Sequence, residues 1–273
     1  MNANQKTNLK SWISLREKTG CPCFSSREAA EAYPSRSSNA IDAALSHFCS
    51  TGLIQRVHRG FFCVVPARYA LRGRIPVEYY IGPLMEHLGK PYYVAALSAA
   101  AHWGAAHQKV VSTQIMTALP HSSTSLHRNP DICWLYRKRV PESFLVRENG
   151  ENGPVSYSNP ELTALDLVAR ARHAGGLSFV VSVLASLKES TDFTGAATGV
   201  FRTAHIPDIQ RLGYIFEVVL QDSAQASVIG AELRRMGGVL RHVPLLPGVD
   251  SPVSATENRW KIRLNADLDW EDA

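Results

Sequence analysis

The stretch from Phe24 to Val65, FSSREAAEAYPSRSSNAIDAALSHFCSTGLIQRVHRGFFCVV, constrains the chain most, because its punctuation sets four elements in one order. Ser26 offers a hydroxyl cap to a short helix over 27–32, with Glu28 in its first turn. Tyr33-Pro34 ends that helix, since proline biases the residue before it away from helical geometry. The polar run Ser35 to Asn39 then opens a second helix, whose apolar residues Ile41, Leu45 and Phe48 recur at i, i+4 and i+7. Thr51-Gly52 stops it. Leu53–Val57 and Phe61–Val65 are β-rich runs joined by His58-Arg59-Gly60, a hairpin with a basic tip. Helix, turn, helix and hairpin is the order of a winged helix-turn-helix.

With Ile41, Leu45 and Phe48 turned inward, Asn39, Ala43, Ser46 and Ser50 face outward on the helical period. That face is small and polar, so a major groove admits it. Ser37, Ser38 and Asn39 stand at the helix start, where a recognition helix touches base edges. Asparagine pairs with adenine in bidentate fashion, and serine is less selective. Arg36, Arg56, His58 and Arg59 are placed for phosphates, and the tip arginine reaches toward a minor groove. The DNA-binding set predicted from sequence is therefore Arg36, Ser37, Ser38, Asn39, Ser46, Arg56, His58 and Arg59. The competing reading of such a module is a protein-contact surface.

Charge distribution favours the polyanion. The net charge is +5 over 273 residues, but residues 1–72 hold 10 of the 29 basic and 4 of the 24 acidic residues, a balance of +6. The remainder carries 19 basic and 20 acidic residues, a balance of −1. A cationic segment beside a neutral one fits nucleic-acid binding and excludes a generally sticky basic protein. Leu9–Lys18, with Leu9, Trp12, Ile13 and Leu15 on its apolar side, predicts a first helix for the same domain. Pro66–Pro76, PARYALRGRIP, is either a basic arm that follows the phosphate backbone or a plain linker. The predicted organisation is α+β: a winged helix-turn-helix domain over 1–74, then a larger mixed α+β domain over 75–273.

In the second domain, Val77–Leu88, Tyr93–Trp103, Leu162–Ala174, Phe179–Leu187, Gln210–Leu220 and Ala224–Met236 read as helices. Asn159-Pro160-Glu161 is a helix start with cap, N-terminal proline and first-turn acid. Val110–Ala118, Ile132–Lys138, Phe144–Arg147, Val155–Tyr157 and Trp260–Leu264 read as strands. Catalytic signatures are missing: the chain has no GxxxxGK[ST] loop, GxGxxG turn, HExxH or G-x-S-x-G. Asp131 with Lys138, or Asp208 with Glu217, are weak candidates for a metal-nuclease role, and Asp208 and Glu217 are expected to be solvated. His121 and His127 flank a predicted exposed turn. Neither a cofactor nor a metal site is expected, and no enzyme activity. The five cysteines, Cys21, Cys23, Cys49, Cys63 and Cys133, contain no CxxC pair and are expected as reduced thiols. The N-terminus lacks the apolar core of a signal peptide and no membrane-length apolar run occurs, so a cytoplasmic protein is expected.

Short motifs in fixed order add a resemblance. They are Gly52-Leu53-Ile54-Gln55-Arg56-Val57-His58-Arg59-Gly60-Phe61, then Tyr93-Val94 with Leu97-Ser98-Ala99-Ala100-Ala101-His102-Trp103-Gly104. Leu162-Thr163-Ala164-Leu165-Asp166-Leu167, Gly175-Gly176-Leu177, Arg211-Leu212-Gly213-Tyr214, and Trp260 with Asn265 follow. In these the chain resembles the AbiEi antitoxins of type IV toxin–antitoxin and abortive-infection systems. It departs from them at Ala99-Ala100-Ala101, where a leucine-bearing helix is usual. The resemblance implies a non-enzymatic autorepressor that binds double-stranded DNA at inverted repeats in its own promoter. It also implies a domain that neutralises a nucleotidyltransferase toxin, without requiring a stable complex with it. The alternatives are a DNA-tethered metal-dependent nuclease and a ligand-sensing transcriptional repressor.

Overall fold

A computed structural model describes residues 8–105, 111–119, 129–237, 239–249 and 257–265. The fold is mixed α+β. Its N-terminal part runs α1 (Leu9–Lys18), β1 (Cys23–Ser25), α2 (Ser26–Ala32), α3 (Ser38–Ser50), β2 (Ile54–His58) and β3 (Phe61–Val64). The predicted helix, turn, helix and hairpin are present. The sequence reading omitted β1, which completes an antiparallel sheet of order β1-β3-β2. Three residues leave no periodicity to read, and their partner lies about 40 positions away, so only the fold reveals the strand.

Local chemistry explains the helices. The α2 cap is Ser25, one residue earlier than predicted. Its Oγ accepts from the Glu28 amide at 3.1 Å while Glu28 Oε2 accepts from the Ser25 amide at 2.6 Å, a reciprocal capping box. Ser26 is left free to donate its amide to the Gly60 carbonyl on the hairpin, at 2.8 Å. Ser37 caps α3 by accepting from the Ala40 amide, and Gly52 follows its end at φ +74°. Leu9, Ile13, Phe24, Ala29, Ile41, Leu45, Ile54, Phe62 and Val64 form one buried cluster, with Trp12 and Phe48 packed against it. Phe24 lies edge-on to Trp12 at 5.2 Å and stacks on Phe62 at 5.8 Å. Leu15 is 56% exposed, so α1 buries Leu9 and Ile13 but not all of its predicted apolar side.

After α4 (Ala67–Ala70) come α5 (Ile81–Leu88), β4 (Tyr92–Val94), α6 (Ala96–His102), β5 (Thr113–Ala118), β6 (Ile132–Arg137), β7 (Leu145–Gly150) and β8 (Gly153–Ser158). The five strands lie in the order β6-β5-β4-β8-β7, with β4 and β8 parallel. Tyr93 and Val94 belong to β4, not to the predicted helix, which begins only at Ala96. The helices α7 (Pro160–Ala169), α8 (Leu177–Leu187), α9 (Ile206–Tyr214) and α10 (Ser223–Arg235) follow, and α9 runs on into a π-helical segment, Ile215–Val219. The terminal strand is short: β10 (Ile262–Arg263) pairs in parallel with β9 (Val243–Pro244). The predicted turn at His121 and His127 and the first residue of the predicted 110–118 strand lie outside the described residues. Among the described residues no helix is long and apolar enough to cross a membrane.

By density of contacts the chain divides into two compact units. One comprises Met1–Tyr93, Ile115–Val140 and Arg147–Ser156; the other comprises Val94–Gln114, Pro141–Val146 and Tyr157–Ala273. In the first unit, the hairpin is tied down by polar contacts. Gln55 Oε1 accepts from the Ile75 amide at 2.9 Å, and Asn129 Nδ2 donates to the Val57 carbonyl and the Tyr80 hydroxyl. The second unit is built round α7, whose residues Glu161 to Val168 are all buried. Asn159 caps it by accepting from the Leu162 amide at 2.9 Å, as its sequence predicts. From Glu161 to Val168 the helix is covered on every side, and its polar groups are satisfied within the unit, Glu161 Oε1 by the Asp192 amide and Thr163 Oγ1 by Ser158.

Candidate nucleic-acid interface

The α3 face follows from its capping and its core contacts. Ser37 fixes where the helix starts, and burial of Ile41 and Leu45 fixes its rotation. Ser37, Ser38, Asn39, Asp42, Ala43, Ser46, His47 and Ser50 are consequently exposed. Asn39, Ala43, Ser46 and Ser50 are exposed, as the helical period predicts, and Ser38 lies exposed at the helix start. Ser37 is exposed too, but its oxygen is occupied by the Ala40 amide, leaving its hydroxyl proton for an outside acceptor.

The basic residues border that face. Arg56 on β2 reaches α3, its Nη2 donating to Ser46 Oγ at 3.4 Å, and its guanidinium lies over the Phe62 ring at 5.4 Å. Stacking on a buried ring orients Arg56 without neutralising it. Arg36, in the turn before α3, lies over Tyr33 at 5.7 Å. Arg59 is exposed at the hairpin tip, beside Gly60 at φ +71°. That left-handed turn needs glycine. Among the described residues no carboxylate pairs with Arg36, Arg56 or Arg59, whereas Arg16 is bound to Glu28 and Arg27 to Glu31.

His58 differs from its neighbours. It is half-buried, and burial pushes its pKa below the ordinary histidine value; the Arg59 carbonyl at 3.0 Å from Nδ1 opposes this and the nearby His87 adds to it. It is a neutral ring at pH 7, able to offer a hydrogen bond but not a charge.

Sequence reasoning missed one residue of the face. Asp42 is exposed, and it stands four positions from Ser38, three from Asn39 and four from Ser46. The i, i+4 step from Ser38 is the signal that locates it. A carboxylate there accepts from a cytosine amino group and repels phosphate.

Two of the three arginines of the 66–76 segment are held in ion pairs. Arg68 is paired with Glu151, and Arg74 Nη1 with Asp131 Oδ1 at 2.6 Å. The acids once considered for a nuclease are committed elsewhere as well. Asp131 holds Arg74. Asp208 holds the buried Arg211 at 2.9 Å, and Glu217 accepts from Trp260 Nε1 at 2.5 Å while pairing with Arg259. The expectation that Asp208 and Glu217 are solvated is thus corrected.

The motif residues of the second unit are structural. Trp103 Nε1 donates to the Ser158 carbonyl at 2.8 Å. Asn265 is tied to the 246–249 segment, accepting from the Leu246 amide and donating to the Leu246 and Val249 carbonyls.

Known proteins place this architecture. None of the curated proteins matches the chain. The crystal structure of the RV2827C protein from Mycobacterium tuberculosis superposes with a TM-score of 0.68 at 12% identity, covering 95% of this chain and 92% of that one. At that identity the likeness establishes the fold alone. Residues 93–218 match the AbiEi antitoxin C-terminal domain, the span that holds the Tyr93–Gly104, Leu162–Leu167, Gly175–Leu177 and Arg211–Tyr214 motifs. Over those residues, a little under half of its length, the chain carries a domain similar to the AbiEi antitoxin C-terminal domain.

Proposed function

We propose that this antitoxin is also a transcriptional autorepressor: residues 1–74 form a winged helix-turn-helix that binds inverted repeats in its own promoter, and residues 75–273 neutralise a nucleotidyltransferase toxin. The observation that carries the DNA-binding half is the α3 face, small, polar and exposed, bordered by three arginines with no acid partner among the described residues. Arg36, Arg56 and Arg59 set register on the phosphates, and Ser37, Ser38, Asn39 and Ser46 read base edges. His58 donates or accepts as a neutral ring.

The antitoxin domain supports the other half. The polar residues of α7 and α9 are spent on internal hydrogen bonds, which favours a binding or regulatory role over catalysis. Location in the cytoplasm follows from the need to meet DNA.

A single co-expression experiment tests both halves. The full chain is expressed beside a reporter driven by its own upstream DNA and beside the neighbouring toxin. The parent represses the reporter and restores growth; Arg59→Ala loses repression and keeps rescue. Rescue without any repression by the parent contradicts the autorepressor reading, and repression without rescue contradicts the toxin assignment.

A further inference from the structure

We propose that Cys23 and Cys63 are a redox-sensitive dithiol, a modification site that closes to a disulfide and ties β1 to the hairpin strand β3. The two sulfurs already lie 3.2 Å apart, across 40 positions of chain. The residues face each other in the β1–β3 register. The neighbouring bonds Val64 N–H to Pro22 O and Ser26 N–H to Gly60 O place the pair at a non-hydrogen-bonded position of the ladder. Opposed Cα atoms at such positions are about 4.5 Å apart, inside the span a disulfide bridges. Closure therefore needs side-chain rotation and no change of register.

Access and asymmetry are built in. Cys23 lines an open cleft of about 390 Å³ together with Arg16, Cys21, Glu28, Phe61 and Asn152. Asn152 Nδ2 points a donor at Cys23 Sγ from 3.6 Å, and Arg16 Nη2 donates to the Cys23 carbonyl at 2.6 Å. Cys63 is fully buried, and contact with the Cys23 sulfur together with burial holds its proton on. Because Cys23 lines the cleft and Cys63 lies behind it, Cys23 is the attacking sulfur and Cys63 the resolving one.

The oxidant class is a hydroperoxide, ROOH. The Cys23 thiolate attacks the terminal oxygen, the O–O bond breaks, and the alkoxide leaves as ROH after taking a proton, giving a sulfenic acid. The Cys63 sulfur then displaces the sulfenic hydroxyl, which leaves as water with the Cys63 proton. The two thiols lose two electrons, and the hydroperoxide is reduced to ROH and water.

The test treats the reduced full-length protein with hydrogen peroxide, alkylates remaining thiols and maps the peptides. The expected product links Cys23 to Cys63 within one chain and leaves Cys49 and Cys133 alkylated. The same link forms in Cys21→Ser, and in a Cys21→Ser, Cys49→Ala, Cys133→Ala variant that keeps only the pair. The oxidised form unfolds at higher temperature and a dithiol reductant reverses the shift. A Cys21–Cys23 link, a Cys21 bridge between two chains, or full alkylation of Cys23 and Cys63 after peroxide has consumed Cys21 overturns the proposal.

Discussion

The indole of Trp260 occupies the space where Gly213 has no side chain: a Cβ on Gly213 would lie 2.1 Å from the ring. Trp260 is 1% exposed. Its Nε1 donates to Glu217, and its carbonyl accepts from Gln210 Nε2 at 2.6 Å, so the ring is held from both ends. Gly213→Ala is expected to destabilise the second unit by about 3 kcal/mol, the upper part of the overpacking range. Trp260→Ala costs a similar ~3–5 kcal/mol. Because the added methyl clashes only with the Trp260 ring, the double variant should be no less stable than Trp260→Ala alone. Urea unfolding of the four proteins measures this.

At the start of α2, the Glu28 carboxyl lies below the ordinary glutamate range. Its burial opposes this, but the Ser25 amide and hydroxyl and the Arg16 guanidinium together outweigh it. A depressed folded pKa contributes stability that is present above the unfolded value, about 4.3, and is lost as pH falls through the lower folded value. Ser25→Ala should cost about 1 kcal/mol at pH 7, with a smaller difference from the parent in acid below that window. Thermal unfolding against pH reads it.

Two adjacent wing residues should behave oppositely in a salt titration. Arg59→Ala is expected to weaken binding to all DNA and to reduce the salt slope by about 1. His58→Ala should leave the slope unchanged at pH 7–8, because the ring is neutral there. As pH falls below about 6.5, the parent should gain affinity relative to His58→Ala. Anisotropy at three pH values separates the two residues.

Asp42 predicts a gain rather than a loss. Asp42→Ala removes one negative charge beside the phosphates, so affinity for random DNA should rise. Discrimination should fall by roughly 1–3 kcal/mol if the carboxylate reads a base. Asn39→Ala should lose discrimination of the same size with no gain on random DNA. Competition titrations against mutated sites distinguish the two variants.

What could be read from the sequence was local. Asn159-Pro160-Glu161 carries its own cap chemistry, and Asn159 caps α7 as expected. The rotation of α3 follows from Ile41, Leu45 and Phe48, so its exposed face was legible before any coordinates. Capping left an ambiguity of one residue, because Ser25 and Ser26 are both competent and only the reciprocal bond to Glu28 decides between them. Non-local features were not legible. β1 exists through pairing with Phe61–Cys63. The burial of Glu161 and Asp166 depends on what surrounds α7, and the ties of Arg68 to Glu151 and Arg74 to Asp131 join residues more than 50 positions apart. The short Trp260 and Gly213 motifs gave no hint of each other until the fold joined them.

The central claim is that α3 and the hairpin read DNA sequence. Its most direct measurement is a fluorescence-anisotropy titration of the full chain on about 100 base pairs from upstream of its own gene, against random DNA of equal length, across a range of salt. A preference of about 10³ or more for the upstream DNA, with a steep salt dependence, is the predicted result. Equal, weak binding to both contradicts it, and the α3 face would then belong to a protein contact instead.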